Sequence, residues 1–176
     1  MKYKDELIKS MEWLSKKENT IFLGQSVKYS GNAIYNTLKT LPQEKRLELP
    51  VFEEIQMSMS TGMAMDGLVP ISCFPRFDFL MRCMDALVNH LDKMQNMTEG
   101  TFKPKVIIRT SIGSKRPLNG GVQHTQDYTE TFKQMLTEVN VILLNKPEDI
   151  FTTYKSAYES DKSSLIIEWG DFYNEK

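Results

Sequence analysis

Val106-Ile107-Ile108-Arg109 opens as a continuous apolar run, without the alternation expected of a half-solvated strand. Such a run fits a strand covered on both faces, the condition of a parallel sheet flanked by helices. Before it, Phe77, Leu80, Met84, Leu87, Val88, Leu91 and Met94 recur at steps of three and four residues, which predicts one long amphipathic helix from about Pro75 to Met97. After it, a loop over 111–121 leads to a helix from about Tyr128 to Thr137, a strand at Val141–Leu144, a helix at Pro147–Glu159 and a strand at Leu165–Glu168.

Towards the N-terminus, Leu7, Ile8, Met11 and Leu14 predict a helix over residues 3–17, and Thr20–Gly24 reads as a short buried strand ended by glycine. Ser30 and Asn32 are candidate caps of a second helix with Ile34, Leu38 and Leu41 on one face, closed by Pro42 and a charged turn. Beyond Pro50, the positions of Ile55, Met59, Gly62, Met63 and Met65 suit a helix from Glu53 to Met65 with small residues for close packing; Gly67 ends it, and Leu68–Phe74 follows as a strand. Helices alternating with short buried strands predict an α/β fold, a three-layer domain with a mostly parallel sheet flanked by helices. No repeat, low-complexity tract or flexible linker divides the chain, so one domain is expected over residues 1–176.

With 176 residues, 40% hydrophobic and 26% charged, the composition suits one compact core and excludes a disordered tail. The balance of 22 Lys+Arg against 23 Asp+Glu, a net charge of -1, carries no signature of a nucleic-acid binder. No apolar stretch approaches the roughly 20 residues that span a bilayer, and Met1-Lys2-Tyr3-Lys4-Asp5-Glu6 lacks a signal peptide's hydrophobic segment, so a cytoplasmic protein without a membrane partner is expected. Cys73 and Cys83 match neither Cys-x-x-Cys nor a zinc pattern and are expected to be buried free thiols. His90 and His124 are too few for a histidine-based site, and no metal site is expected in this chain.

Several motifs are absent. Neither Gly-x-x-x-x-Gly-Lys-Ser/Thr nor a Gly-x-Gly-x-x-Gly after the first strand is present, which removes nucleotide hydrolysis and ordinary dinucleotide binding. There is no Gly-x-Ser-x-Gly elbow, and Ser58 and Ser60 fall inside a predicted helix, so a serine hydrolase is not expected.

A specific succession remains. It runs Phe22-Leu23-Gly24-Gln25-Ser26-Val27, Leu49-Pro50-Val51-Phe52-Glu53, Gly62-Met63-Ala64-Met65-Asp66-Gly67-Leu68-Val69-Pro70 and Phe77-Asp78-Phe79, then Met84-Asp85-Ala86-Leu87-Val88-Asn89. Met97-Thr98-Glu99-Gly100, Ile108-Arg109-Thr110-Ser111-Ile112-Gly113 and Gln123-His124-Thr125-Gln126 complete it. In this order and spacing the chain, from about residue 3 to 169, resembles the pyrimidine-binding domain of transketolase-like thiamine-diphosphate enzymes. Within that group it is most similar to the beta subunit of the first component of 2-oxoacid (pyruvate or branched-chain) dehydrogenases.

The resemblance implies roles for particular residues. Glu53 stands where the family has the glutamate of Pro-Ile-Ser-Glu, whose carboxyl hydrogen-bonds a pyrimidine ring nitrogen. A proton shared there favours the imino tautomer, which can then deprotonate the thiazolium carbon of the same cofactor. Phe79 matches the aromatic residue packed on the pyrimidine, and His124 the histidine of Gln-His-Ser-Gln, which faces the substrate and can donate to a developing oxyanion or shuttle a proton. Gln25 stands where relatives usually have a glutamate near the cofactor or the subunit interface. After Glu53 the family has small Ala-Gly, and this chain has Glu54-Ile55-Gln56. His90 matches no catalytic position and is expected to be structural.

The family's Gly-Asp-Gly…Asn motif for magnesium and diphosphate is absent; Gly170-Asp171-Phe172 is the nearest fragment. The resemblance therefore implies thiamine diphosphate shared with an alpha-type subunit that carries the diphosphate-binding domain and holds the Mg²⁺. A homodimer contact within a heterotetramer is expected through the long helix. The family's C-terminal domain is expected to be absent after Trp169. The expected function is the pyrimidine-binding, beta-type half of a two-component enzyme acting on a 2-oxo acid or keto sugar, inactive alone. The alternative is a degenerate, non-catalytic homologue acting as an interaction or regulatory subunit.

Overall fold

The computed structural model of the chain describes residues 2–116 and 118–174; Met1, Pro117 of the predicted 111–121 loop, and residues 175–176 lie outside the described residues. The elements run α1 (Tyr3–Ser15), β1 (Thr20–Gly24), β2 (Arg46–Glu48), α2 (Glu53–Met65), β3 (Val69–Phe74), α3 (Phe77–Leu80), α4 (Met94–Met97), β4 (Ile107–Ile112), α5 (Thr129–Met135), β5 (Asn140–Leu143), α6 (Pro147–Glu159) and β6 (Ser164–Trp169). The strands form one six-stranded sheet in the order β2-β1-β3-β4-β6-β5, and every pairing is parallel.

Both faces of the sheet are covered, as the unbroken run at Val106 predicts. On one face α1 and α6 pack Tyr3, Leu7, Met11, Ile150 and Tyr154 over Phe22, Ile71, Ile107 and Ile166. On the other, Met57, Phe77, Leu80, Leu87 and Phe132 cover Phe74, Ile108, Leu165 and Ile167. At roughly 25 cal/mol per Å² of apolar surface, these two cores are the main stabilising term. Cys73 and Cys83 are buried and unpaired, and burial pushes both thiols up to about 12, far from a reactive thiolate.

Four expectations require correction. The second helix is only a 3-10 turn, Ile34–Thr37; Asn32 does cap it, its side-chain oxygen accepting from the Tyr35 N–H at 3.0 Å. The charged turn after Pro42 contains the edge strand β2, too short and too charged to be read as a strand. The helix α2 forms where expected but turns its other face inward: Gln56, Met57, Ser60 and Thr61 are buried, and Ile55 and Met65 are exposed. Polar residues can face the sheet because the Ser60 and Thr61 hydroxyls donate back to the Gln56 and Met57 carbonyls at 2.7 and 3.1 Å, while Gln56 Nε2 donates to Ser72 Oγ at 3.0 Å and to the Cys73 carbonyl at 3.1 Å.

The fourth correction concerns the long helix. It is a run of changing pitch: α3, a 3-10 turn at Met81–Cys83, a π-helical stretch Asp85–Leu91, and α4. The wider π turn brings residues five apart onto one face, so Ala86 and Leu87 are followed inward by Leu91 and Asp92. Asp92 explains why the pitch changes. Its buried carboxylate accepts from the N–H groups of Thr137, Glu138 and Val139 at 2.8 to 3.1 Å, tying this run to the start of β5. Burial alone would raise the Asp92 carboxyl, but Lys93 and these backbone donors outweigh it and hold it below the ordinary carboxylate range.

Replacing Asp92 by Ala leaves three donors without their acceptor, at an expected cost of about 1–3 kcal/mol. Because the native carboxyl is depressed, its contribution is complete above the unfolded value of about 3.9 and is lost as pH falls through the lower native value. Urea unfolding of wild type and Asp92→Ala should therefore differ at pH 7 and converge in strong acid. A constant difference across that range rules out the carboxylate as its source.

Candidate functional site

The crossover leaving β1 goes to β2 on one side, and the crossover leaving β3 goes to β4 on the other. The chain reverses its direction of travel between β1 and β3, and the C-terminal ends of two such strands frame the crevice where open α/β sheets bind ligands. Gln25 directly follows β1; Pro75, Arg76 and Phe79 follow β3; Ser114 and His124 lie on the loop after β4.

The first turn of this crevice is tightly determined. Gly24 has φ +143°, and a Cβ there would lie 2.3 Å from the Cys73 carbonyl oxygen, so the close approach of β1 to β3 requires glycine. Ser26 follows at φ 55°. The Glu48 carboxylate, at the end of β2, accepts from the Ser26 and Lys28 N–H groups at 2.6 and 2.7 Å, and the Asn32 side-chain amide donates to the Gln25 carbonyl at 3.2 Å. These bonds hold the Gln25–Asn32 loop over the crevice.

Three of the expected site residues meet there. Gln25, Phe79 and His124, with Gly31, Asn32, Pro75 and Arg76, line a cavity of about 190 Å³. The Phe79 and His124 rings meet edge to face, with centroids 5.5 Å apart and an interplanar angle of 87°. His124 Nδ1 lies 2.9 Å from the Gly120 carbonyl, and a carbonyl only accepts, so Nδ1 carries a proton and Nε2, which makes no hydrogen bond among the described residues, is the nitrogen left for a ligand. Glu53 is not in this cavity. It is the first residue of α2 and lines an adjoining depression of about 240 Å³ with Val51, Phe79 and Arg82, so Phe79 is the wall common to both.

Among the described residues the Glu53 carboxylate has no hydrogen bond or ion pair, which leaves it available to a ligand beside an aromatic ring. That donor set fits an aminopyrimidine: one carboxyl, one aromatic wall and a slot open on the other side. Gln56, one turn along, anchors α2 to β3 and so positions Glu53. Glu54 and Ile55 are exposed, and Glu54 lines a different groove, between α2 and the π-helical stretch; neither narrows the Glu53 depression. His90 is exposed on that same groove, with Nε2 3.3 Å from Asp85 Oδ2. Among the described residues, no group of three or more His, Cys, Asp or Glu side chains is placed to hold a metal ion, and no helix is long and apolar enough to cross a membrane.

The sequence marked none of Arg76, Glu48 and Gln56 as a site residue, and it marked Asn32 only as a helix cap. Arg76 carried the only legible signal, a lone cation directly after a buried strand.

An all-parallel sheet covered by helices, with an aromatic ring at its switch point and a carboxylate beside it, defines an α/β domain with a candidate ligand crevice at its strand ends. Residues 9–169 match the family described as "Transketolase, pyrimidine binding domain", and the chain belongs to that family. It is 25% identical over 167 residues to pyruvate dehydrogenase E1 component subunit beta, mitochondrial, of Saccharomyces cerevisiae, covering 93% of this chain and 45% of the relative. It is 29% identical over 121 residues to the corresponding subunit of Ascaris suum, covering 69% of this chain and 33% of that protein. A solved chain described as "Split gene transketolase, inactive beta4 tetramer" shares the fold with a TM-score of 0.65 at 15% identity, covering 95% of this chain and 51% of that one. The chain thus spans about half the length, or less, of the proteins it matches.

Proposed function

We propose that this chain is the pyrimidine-binding, beta-type subunit of a two-component thiamine-diphosphate enzyme acting on a 2-oxo acid or keto sugar, completed by an alpha-type subunit that holds the diphosphate and Mg²⁺. The observation that carries it is the joining of an unpaired carboxylate, Glu53, to a second cavity with a free imidazole nitrogen, His124, through the single ring of Phe79.

When bound, thiamine diphosphate supplies a carbon nucleophile that adds to the substrate carbonyl and an electron sink for the resulting charge. Glu53 holds a proton at the pyrimidine nitrogen, and the Phe79 ring fixes the ring plane by packing. His124 Nε2 accepts a proton when the imidazole is neutral and donates one to a substrate oxygen when it is charged; the Nδ1–H bond to Gly120 fixes its orientation. Gln25 supplies a neutral amide where a charged side chain would repel an anionic substrate.

The outward face of α2 supports the partner contacts. Ile55 and Met65 on α2 are at least 42% exposed, and Met65 lines a groove of about 300 Å³ between α2 and the π-helical stretch of the long run. A second copy packed there gives the homodimer core of a heterotetramer. A cytoplasmic location is part of the same reading, and two unpaired buried thiols suit a reducing compartment.

Affinity purification from native extract in thiamine diphosphate and Mg²⁺, followed by mass spectrometry, tests the assembly. The expected result is a stoichiometric partner carrying Gly-Asp-Gly…Asn. Elution as a homo-oligomer alone, or with an unrelated protein, supports the non-catalytic homologue instead.

A further inference from the structure

The loop that carries His124 is held by polar bonds rather than by a core. It leaves β4 at Gly113 and returns at His124, and its two ends touch: a Cβ on Gly113 would lie 1.8 Å from the His124 carbonyl oxygen. That is the form of an Ω-loop, closed at its neck and ordinarily packed by its own side chains. Here the apolar side chains are unpacked, with Leu118 77% and Val122 82% exposed. The internal bonds are local: Ser114 Oγ donates to the Leu118 carbonyl at 3.1 Å, the Gly121 N–H to Asn119 Oδ1 at 2.8 Å, and the His124 ring to the Gly120 carbonyl at 2.9 Å. Such bonds shape the loop but do not fix it to the rest of the molecule.

Asp171 does fix it. Its Oδ1 accepts from the Lys115 and Arg116 N–H groups at 2.7 and 3.0 Å, across 56 and 55 positions of chain. Bonds to a carboxylate are roughly twice as strong as neutral ones. The turn that carries Asp171, Gly170–Asn174, is itself firmly placed. A Cβ on Gly170 would lie 2.6 Å from both the Ile112 carbonyl oxygen and the Ser114 nitrogen, so the turn rests directly on the start of the loop. Tyr173 is buried, donates its hydroxyl to the Glu168 carboxylate and accepts from Arg109 Nη2 at 3.3 Å, and Phe172 meets Tyr3 edge to face with centroids 5.3 Å apart. Just beyond His124, Gln126 Nε2 donates at 2.9 Å to Oδ1 of Asp78, on the helix α3 that also carries Phe79. The loop is thus pinned on both sides of His124.

We propose that Asp171 is a positioning residue: by holding the Lys115 and Arg116 amides it sets the His124 ring against Phe79, and it ties the placement of that ring to the Arg109–Glu168–Tyr173 cluster in the core. The service this gives to catalysis rests on the function proposed above; the clamp itself does not.

Asp171→Ala and Asp171→Asn in the full chain test the clamp, read by hydrogen exchange of the Lys115 and Arg116 amides and by NMR cross-relaxation between the His124 and Phe79 rings. Asp171→Ala should speed exchange of both amides by about tenfold or more and abolish the ring cross-peak, with the amides of β4 and β6 unchanged. Asp171→Asn, whose side-chain oxygen still accepts, should fall between. Unchanged exchange at Lys115 and Arg116, or equal acceleration across β4 and β6, overturns the clamp. In the assembled enzyme Asp171→Ala should lower kcat by about ten- to a hundredfold and leave the affinity for thiamine diphosphate near that of wild type. Added to His124→Ala it should lower kcat no further, because Asp171 acts through His124; an equal loss in both backgrounds makes Asp171 merely structural and overturns the proposal. If the amides are released as expected while kcat is unchanged, the role proposed for His124 fails and the clamp stands.

Discussion

Glu53→Gln in the complex reconstituted with its diphosphate-binding partner should lower turnover by about 10²–10⁴-fold, the usual contribution of a positioned acid–base group. The chain should fold as before, because the Glu53 carboxylate makes no hydrogen bond or ion pair among the described residues and sits at the open end of α2. Loss of a carboxylate from a first helical turn costs only about 0.3–1 kcal/mol. The amide preserves shape and its N–H can still donate a hydrogen bond to the pyrimidine nitrogen but cannot transfer that proton, so the defect should lie in kcat with cofactor affinity reduced far less. Full turnover of the variant would remove Glu53 from the chemistry. A matching loss of cofactor binding would make it a binding residue only.

The largest effect on stability is expected on the other side of the sheet. Arg109, in the middle of β4, is fully buried, as is Glu168 on β6. Arg109 Nε and Nη2 donate to the two oxygens of Glu168 at 2.6 and 3.0 Å, and Nη1 donates to Thr37 Oγ1 at 2.8 Å. The Tyr154 and Tyr173 hydroxyls also donate to the Glu168 carboxylate. One carboxylate therefore gathers α6, β4, the Ile34–Thr37 turn through Arg109, and the turn Gly170–Asn174 that follows β6.

Removing one partner of a buried pair leaves an uncompensated charge and costs about 3–5 kcal/mol. Arg109→Met should reach that range by urea unfolding, and for a chain of this size Tm should fall by roughly 10 °C. Adding Glu168→Leu should restore only part, because Tyr154 and Tyr173 then lose their acceptor. An Arg109→Met protein within 1 kcal/mol of wild type would show that the network is not what joins these elements. Burial, and then Glu168, push both tyrosines well above their ordinary value. The unfolded chain releases those protons near pH 10 while the folded chain keeps them, so stability should also fall as pH rises through about 10.

The candidate site was legible to different depths. Glu53, Phe79, His124 and Gln25 came from motifs in register, and the fold brings three of them around one cavity and joins the fourth through Phe79. Arg76 showed only as a lone cation just after a buried strand, because nothing in its neighbours says that Gly113 and His124, far along the chain, lie against it. Glu48 and Gln56 position the site through a few long-range hydrogen bonds each, and such bonds leave no periodic trace. Glu54 and Ile55 stand where relatives have small residues, yet the helical rotation turns both away from the Glu53 depression.

Local composition and periodicity determined the class of fold. Short runs dominated by apolar residues at 20–24, 69–74, 106–109 and 165–168, without strict alternation, meant strands covered on both faces, and helical spacing between them meant crossovers, hence a parallel sheet. Tertiary structure alone decided which face of α2 turns inward, because buried polar groups are tolerated wherever partners such as Ser72 and the Cys73 carbonyl await them. It also decided the pitch of the 77–97 run. Asp92 has to reach three amide groups more than forty residues away, and a π turn rotates it there at the expense of regular helical geometry. Arg109 shows the division most plainly: in sequence it ends an apolar run, and only the fold, by placing Glu168 beside it in β6, makes a charge at the centre of the molecule stable.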